Sequence, residues 1–124
     1  MEAKELMIGD WVECVDSTHK KKVYAQIDAI EEGQTCILVR LDNCNWFLDI
    51  SFIKPIPLTP EILEKNGFIK ESRECQRNTL QYCVLTDGLW IDISEVNYFE
   101  GKLEFVHQLQ HALRFCGITR EIII

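Results

Sequence analysis

The chain has 124 residues, an ordinary length for one domain, and 47% of them are hydrophobic and 27% charged. This composition excludes a largely disordered chain, and the formal net charge of −7 disfavours general binding to phosphate backbones. No run approaches the roughly 20 apolar residues of a membrane helix, and the first residues lack a signal-peptide pattern. We therefore expect a cytoplasmic protein without a membrane partner.

The six cysteines could form three disulfides, but the sequence favours free thiols. No export signal accompanies them, and the core of such a chain is large enough to fold alone. No two cysteines have the Cys-x-x-Cys spacing, which excludes a zinc ribbon and a thioredoxin-type motif. Cys14, Cys36 and Cys83 lie within predicted strands, where we expect them to behave as small buried hydrophobes.

The first half of the chain alternates with the two-residue period of strands. Four short antiparallel strands are predicted, at residues 11–15, 23–30, 36–41 and 46–52. Short strands joined by turns at this spacing predict a small bent sheet, and we expect an SH3-like, partly open β-barrel over residues 1–57. Residues 54–57 contain two prolines and are predicted to stop the sheet.

A short helix is predicted near residues 59–66. Thr59 is a good N-cap residue, and Pro60 occupies the first helical position, where its missing N–H costs nothing. Asn66 and Gly67 predict a left-handed stop. Residues 58–124 would then form an α+β half that shares one core with the barrel, so that residues 1–124 make a single domain.

The second half is predicted to hold strands at residues 68–71, 80–85 and 89–93. Asp87 and Gly88 are a strong hairpin signal, since a type I′ turn needs positive φ at both central positions. Glu100, Gly101 and Lys102 predict another tight turn. The sequence therefore indicates an α+β fold with an antiparallel sheet.

The period then changes to that of an amphipathic helix near residues 105–116. Its apolar stripe comprises Val106, Leu109, Ala112, Leu113 and Cys116. The opposite face carries His107, Gln110, His111 and Arg114, which we expect to point outward. The tail at residues 118–124 ends in three isoleucines and predicts an edge strand or a subunit contact.

Three motifs are spread along the chain, and the resemblance that they carry covers nearly all of it: Leu-Met-Ile-Gly-Asp-Trp-Val from residue 6, Ile-Pro-Leu-Thr-Pro-Glu-Ile-Leu from residue 56, and Val-His-Gln-Leu-Gln from residue 106. In these motifs the chain resembles a group of small proteins common in Bacteroides-type bacteria and in their phages and mobile elements. The resemblance implies an accessory-genome protein and brings no established activity or cofactor. Members often carry Asn where this chain has Asp10.

The last helix holds the first candidate site. His107 and His111 are four residues apart, so both could face one metal ion, and Glu104 could complete a set of two histidines and one carboxylate. The alternative is a solvated polar face. In an intermediate interpretation, His107, Gln108, Gln110 and His111 bind a neighbouring strand or a partner chain by hydrogen bonds.

Exposed aromatic residues are the second candidate. Trp90 and Tyr24 lie opposite apolar positions of their strands and could bind a peptide or a single strand; the alternative is a second core against a helix. The segment Lys20–Lys22 could contact nucleic acid or form a solvated loop. No phosphate-binding glycine motif occurs, and we expect no cofactor.

The leading hypothesis is a non-catalytic protein-interaction module of phage or mobile-element origin, whose partner is a protein and could be a second copy of the chain. A nucleic-acid-associated accessory protein is the first alternative, although the acidic charge makes it less favourable. A small metal-dependent enzyme using Glu104, His107 and His111 is the second.

Overall fold

The computed structural model describes residues 5–16, 21–33, 37–42, 46–71, 80–94 and 97–124. The fold is α+β, with two sheets and two helices. Two compact units divide the chain, Met1–Ile56 and Pro57–Ile124. Lys20 and Cys36 lie outside the described residues, so the predictions made on them stay predictions.

Unit 1 is a five-stranded antiparallel sheet with the order β4-β3-β2-β1-β5. Its strands are β1 (Trp11–Asp16), β2 (Lys21–Glu32), β3 (Ile37–Leu41), β4 (Leu48–Asp49) and β5 (Ile53–Pro55). The long strand β2 pairs with β1 at one end and β3 at the other, with a register shift between Ile27 and Ala29. Such an irregularity bends a strand and increases its local twist. The core comprises Leu6, Val12, Cys14, Ala25, Ile27, Val39, Leu41 and Ile53.

Two predictions for the end of this unit are wrong. The predicted strand at residues 46–52 is only Leu48–Asp49, because the Asp49 carboxylate accepts a hydrogen bond from Ser51 N (2.8 Å) and starts a 3₁₀ turn over Ile50–Phe52. Residues 54 and 55 do not stop the sheet, since β5 pairs with β1. Pro55 is tolerated there because β5 is an edge strand.

Asp10 is the residue immediately before β1. Its side chain is fully buried, and its Oδ2 accepts a hydrogen bond from Met7 N at 2.8 Å. Its backbone carbonyl accepts one from Ile27 N at 2.9 Å. The side chain therefore closes the turn before β1, an arrangement in which an Asn carbonyl could also accept.

Unit 2 is a four-stranded sheet with the order β6-β7-β8-β9, combined with two helices. Its elements are α1 (Pro60–Lys65), β6 (Ile69–Lys70), β7 (Leu80–Leu85), β8 (Gly88–Ser94), β9 (Tyr98–Leu103) and α2 (Val106–Phe115). β6 is parallel to β7, and the other pairs are antiparallel. Side chains buried in this unit include Leu63, Phe68, Leu80, Tyr82, Leu89, Ile91, Ile93, Val106, Leu109, Leu113 and Cys116.

Both predicted helices are confirmed. Thr59 Oγ1 accepts a hydrogen bond from Ile62 N (3.3 Å) at the start of α1, and Gly67 follows its end with φ of 89°. At the start of α2, Gln108 Oε1 accepts from Phe105 N at 3.1 Å. At its end, Ile118 N donates to the Leu113 carbonyl at 2.9 Å, in the backbone pattern that commonly ends helices.

The hairpin between β7 and β8 is confirmed, but its turn lies one residue earlier than predicted. Leu85 pairs with Gly88, so the two loop residues are Thr86 and Asp87, and Gly88 opens the return strand. Gly88 has φ of 155°, and a Cβ atom there would lie 2.7 Å from Lys102 Cε. The positive φ therefore favours glycine at this position, whereas the close contact involves only the flexible end of the Lys102 side chain.

The predicted turn at residues 100–102 is wrong, because β9 runs straight through it. Gly101 pairs with Ile91 in the middle of the strand. A Cβ atom on Gly101 would lie 3.3 Å from Cζ of Phe99, so the phenyl ring covers the surface that a side chain would otherwise fill. An aromatic neighbour of this kind offsets the weakness of glycine in a strand.

The tail at residues 118–124 is not the predicted strand. No regular element follows α2, and Ile122 is buried within the chain's own fold. Asn66 fixes the tail, because its Nδ2 donates to the Ile123 carbonyl (2.8 Å) and its Oδ1 accepts from Ile123 N (2.7 Å). One amide thus supplies the pair of hydrogen bonds that a neighbouring strand would make.

Candidate functional site: a groove beside an edge strand

The outward orientation predicted for His107 and Gln110 is wrong. His107 is 2% exposed and Gln110 is 7% exposed. The His107 ring stacks on Phe105 with a centroid distance of 5.9 Å and meets His111 edge-on at 5.8 Å. Arg114 lies seven residues after His107, on nearly the same side of the helix, yet it is exposed. Burial on this side therefore depends on position along the helix, which the helical period alone does not reveal.

The proposed metal set of Glu104, His107 and His111 finds no support in the geometry. Within the described ranges, no group of three or more His, Cys, Asp or Glu side chains is placed to hold a metal ion. Glu104 is exposed, whereas His107 is enclosed by its aromatic neighbours.

An apolar groove of about 430 Å³ runs between α2 and β9. Its lining residues are Phe99, Leu103, Gln108, His111, Ala112 and Phe115. Phe115 is 63% exposed, although Val106 and Leu109 on the opposite flank of the same helix are fully buried. Gln108 and His111, expected on a polar binding face, are thus brought together on the wall of an apolar groove.

Gln108 has a second role at one end of this groove. Its Oε1 accepts hydrogen bonds from Glu104 N (2.9 Å) and Phe105 N (3.1 Å). These two backbone groups precede the helix and have no partner within it. The Gln108 side chain is therefore held in position, so that this end of the groove is preformed.

Strand β9 borders the groove and lies at the edge of its sheet. It pairs with β8 along one side, and no strand in the described part of the chain pairs with its other side. Asn97, before the strand, donates from Nδ2 to the Phe115 carbonyl at 2.9 Å, and Phe105, after it, forms a bridge with Pro57. The unpaired edge is therefore the six residues Tyr98–Leu103, which contain no proline.

The outer face of the same sheet carries Trp90. It is 36% exposed, and its Nε1 donates to Glu100 Oε1 at 3.0 Å. Tyr98 donates from its hydroxyl to the other oxygen of Glu100, and this hydrogen bond raises the pKa of Tyr98 to about 12. One carboxylate therefore holds two aromatic side chains in place.

Tyr24 is 48% exposed on β2 and belongs to unit 1. Lys22 is the residue of the basic segment Lys20–Lys22 whose side chain the structure describes. Its Nζ lies 3.7 Å from Glu13 Oε1. The local positive charge is thus partly offset, and the nucleic-acid hypothesis gains no support from it. Within the described residues, Cys14, Cys83 and Cys116 form no disulfide, and Cys83 is half-buried rather than buried as predicted.

Sequence reasoning did not identify Phe99, Leu103 and Phe115 as site residues. The predicted turn at residues 100–102 separated Phe99 from Leu103, although both occupy the same face of one strand. A signal for Phe115 was present, because a large apolar residue stood on the helix face that otherwise carried polar groups.

No helix in the described part of the chain is long and apolar enough to cross a membrane. No protein-family model, curated protein or solved structure matches the chain. The groove and the strand edge beside it are therefore the features on which a functional proposal can be based.

Proposed function

We propose that the chain is a non-catalytic protein-interaction module of the cytoplasm, of phage or mobile-element origin, and that unit 2 binds an extended segment of a partner protein along β9. The observation that supports this most directly is the coincidence of an unpaired strand edge with an apolar groove on the same strand. An edge strand with free backbone N–H and C=O groups is a ready template for pairing with another strand. A partner strand would cover it here.

The physical basis of binding is the addition of a strand to the sheet. Backbone N–H and C=O groups along the edge supply hydrogen bonds that do not depend on the partner's sequence. Selectivity comes from side chains, because every second residue of the added strand faces the groove. Phe99, Leu103 and Phe115 would favour apolar residues at those positions.

We also propose that unit 1 is an SH3-like, partly open barrel. Two observations support this proposal. The last strand, β5, pairs with the first, β1, and the long strand β2 pairs with β1 at one end and with β3 at the other, as expected in a bent sheet. A 3₁₀ turn lies between β4 and β5. Long strands that bend at a bulge let a small sheet curl toward closure.

The binding proposal is tested by panning a library of random peptides against the purified protein. We expect enriched peptides to alternate apolar and polar residues, and to bind the Phe115→Ser variant about tenfold or more weakly, since burying a Phe side chain contributes roughly 1.5–3 kcal/mol. Fluorescence anisotropy of labelled peptides measures both affinities.

Phe52→Ser is the matched control, because Phe52 is 66% exposed, close to the 63% of Phe115, but lies in unit 1. It should leave peptide affinity unchanged. Failure to enrich any peptide, or equal binding by the wild type and the Phe115→Ser variant, would contradict the proposal.

A further inference from the structure

We infer that the partner strand is β9 of a second copy of this chain, paired antiparallel about a two-fold axis at Gly101. The inference rests on the proposed function and names its partner. It follows from the order of side chains along Tyr98–Leu103, which is complementary to itself when the strand is reversed. Two-fold pairing of identical edges is the simplest closed assembly available to such a strand.

The charged side chains of β9 match in this arrangement. Glu100 and Lys102 flank Gly101 on the outer face of the sheet. With Gly101 on the axis, Glu100 of each copy lies directly opposite Lys102 of the other, so two pairs of opposite charges face each other beside the Lys102–Asp87 ion pair within each copy. Directly opposite charges of unlike sign stabilise antiparallel strands.

The apolar side chains match on the other face. Phe99 and Leu103 both line the groove. About the same axis, Phe99 of each copy lies opposite Leu103 of the other, so that the two grooves meet across the strand pair. Gly101 carries no side chain, so no two identical Cβ groups meet on the axis, and the Phe99 ring that covers each Gly101 lies beside it.

Other registers lose these matches. An axis at Glu100 or at Lys102 would place two like charges directly opposite each other. A register shifted by one residue, with Glu100 opposite Gly101, would set Phe99 against Lys102 and turn the apolar face of one copy to the polar face of the other, so it has no two-fold axis. An axis at Leu103 would also set Lys102 opposite Glu104, but it would take Phe99 out of the strand pair. The axis at Gly101 keeps the charge matches together with both Phe99 and Leu103, and the apolar contacts contribute most of the affinity.

The test is a charge exchange followed by sedimentation equilibrium. Glu100→Lys and Lys102→Glu each place like charges opposite one another twice in the dimer, and each should weaken self-association about tenfold or more. The double variant Glu100→Lys/Lys102→Glu restores both pairs and should return the dissociation constant to within about threefold of wild type. Thermal melts confirm that each variant is folded.

Asp28→Lys is the matched control. It removes the exposed ion pair with Arg40 (2.8 Å) in unit 1 and should leave self-association unchanged. A dimer that the single variants dissociate and the double variant restores supports the inference. A dimer insensitive to these changes overturns it.

The experiment also separates this inference from the proposed function. A wild-type chain that is monomeric at all concentrations but binds the selected peptides overturns the second copy as partner and leaves the groove as a binding site. A monomer that binds no peptide overturns both. Selected peptides that dissociate the dimer support both, because the peptide and the second copy of the chain then compete for the same edge of β9.

Discussion

At the residue scale, the outer face of the second sheet holds an unfavourable pair of charges. Asp92 on β8 lies directly opposite Glu100 on β9. Burial raises the pKa of Asp92, and the negative charges of Glu100 and Glu71 raise it further. Glu100 is kept in place by Trp90 and Tyr98, so this repulsion is part of the cost of fixing the two aromatic side chains.

We expect Asp92→Asn to stabilise the protein at neutral pH by a few tenths to about 1 kcal/mol, the range for like charges directly opposite in a sheet. A raised pKa in the folded state means that the folded protein binds the proton more tightly than the unfolded chain. The wild type therefore gains stability relative to the variant as the pH falls through the pKa of Asp92. Urea unfolding at neutral pH and below about pH 3.9, the ordinary aspartate value, measures this change.

Asp87→Asn is a control for which we expect the opposite change in stability. A hydrogen bond from Lys102, whose Nζ lies 2.8 Å from Asp87 Oδ2, lowers the pKa of Asp87. That substitution should therefore destabilise the protein at neutral pH, and its effect should fade in acid. A stabilisation by Asp92→Asn that is the same at every pH would show that charge is not its cause.

At the element scale, one buried amide joins α1 to the tail. Asn66 is 7% exposed, and its Nδ2 donates both to the Ile62 carbonyl (2.7 Å) and to the Ile123 carbonyl (2.8 Å). Its Oδ1 accepts from Ile123 N (2.7 Å). Both the donor and the acceptor of the amide are thus used, and two segments that are distant in the sequence depend on one side chain.

We expect Asn66→Ala to lower the free energy of unfolding by about 1–3 kcal/mol, because buried backbone groups of Ile123 lose their partners. Asn66→Asp should cost more, since a carboxylate would face two carbonyl oxygens that now accept hydrogen bonds. Chemical denaturation measures both. Asn97→Ala, at an exposed asparagine with one hydrogen bond to the Phe115 carbonyl, should cost less than about 1 kcal/mol; equal effects of Asn97→Ala and Asn66→Ala would contradict the role given to Asn66.

The elements that sequence could predict are those determined by local chemistry. The α1 cap at Thr59 and the alternation of Leu89, Ile91 and Ile93 in β8 follow from neighbouring residues alone, and the structure confirms them. Both signals are short-range, since a cap involves one turn and alternation reflects one face of one strand.

The elements that the sequence predicted wrongly depend on contacts with other strands or on a side chain that covers the backbone. Gly101 belongs to a strand because Ile91 pairs with it and Phe99 covers it, and neither contact is visible in the local pattern. A proline is possible at residue 55 because β5 is an edge strand of its sheet. The candidate site was hidden for the same reason: the groove exists only when β9 is continuous.

At the scale of the whole molecule, net charge opposes self-association and the proposed interface favours it. Each copy carries a formal charge of −7, so two copies repel each other at long range. The proposed contact itself is apolar on one face and has exposed ion pairs on the other, and exposed ion pairs contribute little to affinity. The repulsion is screened by salt, whereas the apolar contact is not weakened by it.

We therefore expect self-association to strengthen, or to stay constant, as the salt concentration rises. The screening length falls from about 10 Å at 0.1 M to about 3 Å at 1 M ionic strength, which removes most of the repulsion between two acidic copies. Sedimentation equilibrium of the wild type across this range measures the dissociation constant. A steep loss of the dimer with salt would indicate that the Glu100–Lys102 pairs supply the affinity, and that Phe99, Leu103 and the groove do not. The Phe115→Ser variant separates these contributions, because a dimer driven by apolar contact should weaken with this substitution at every salt concentration.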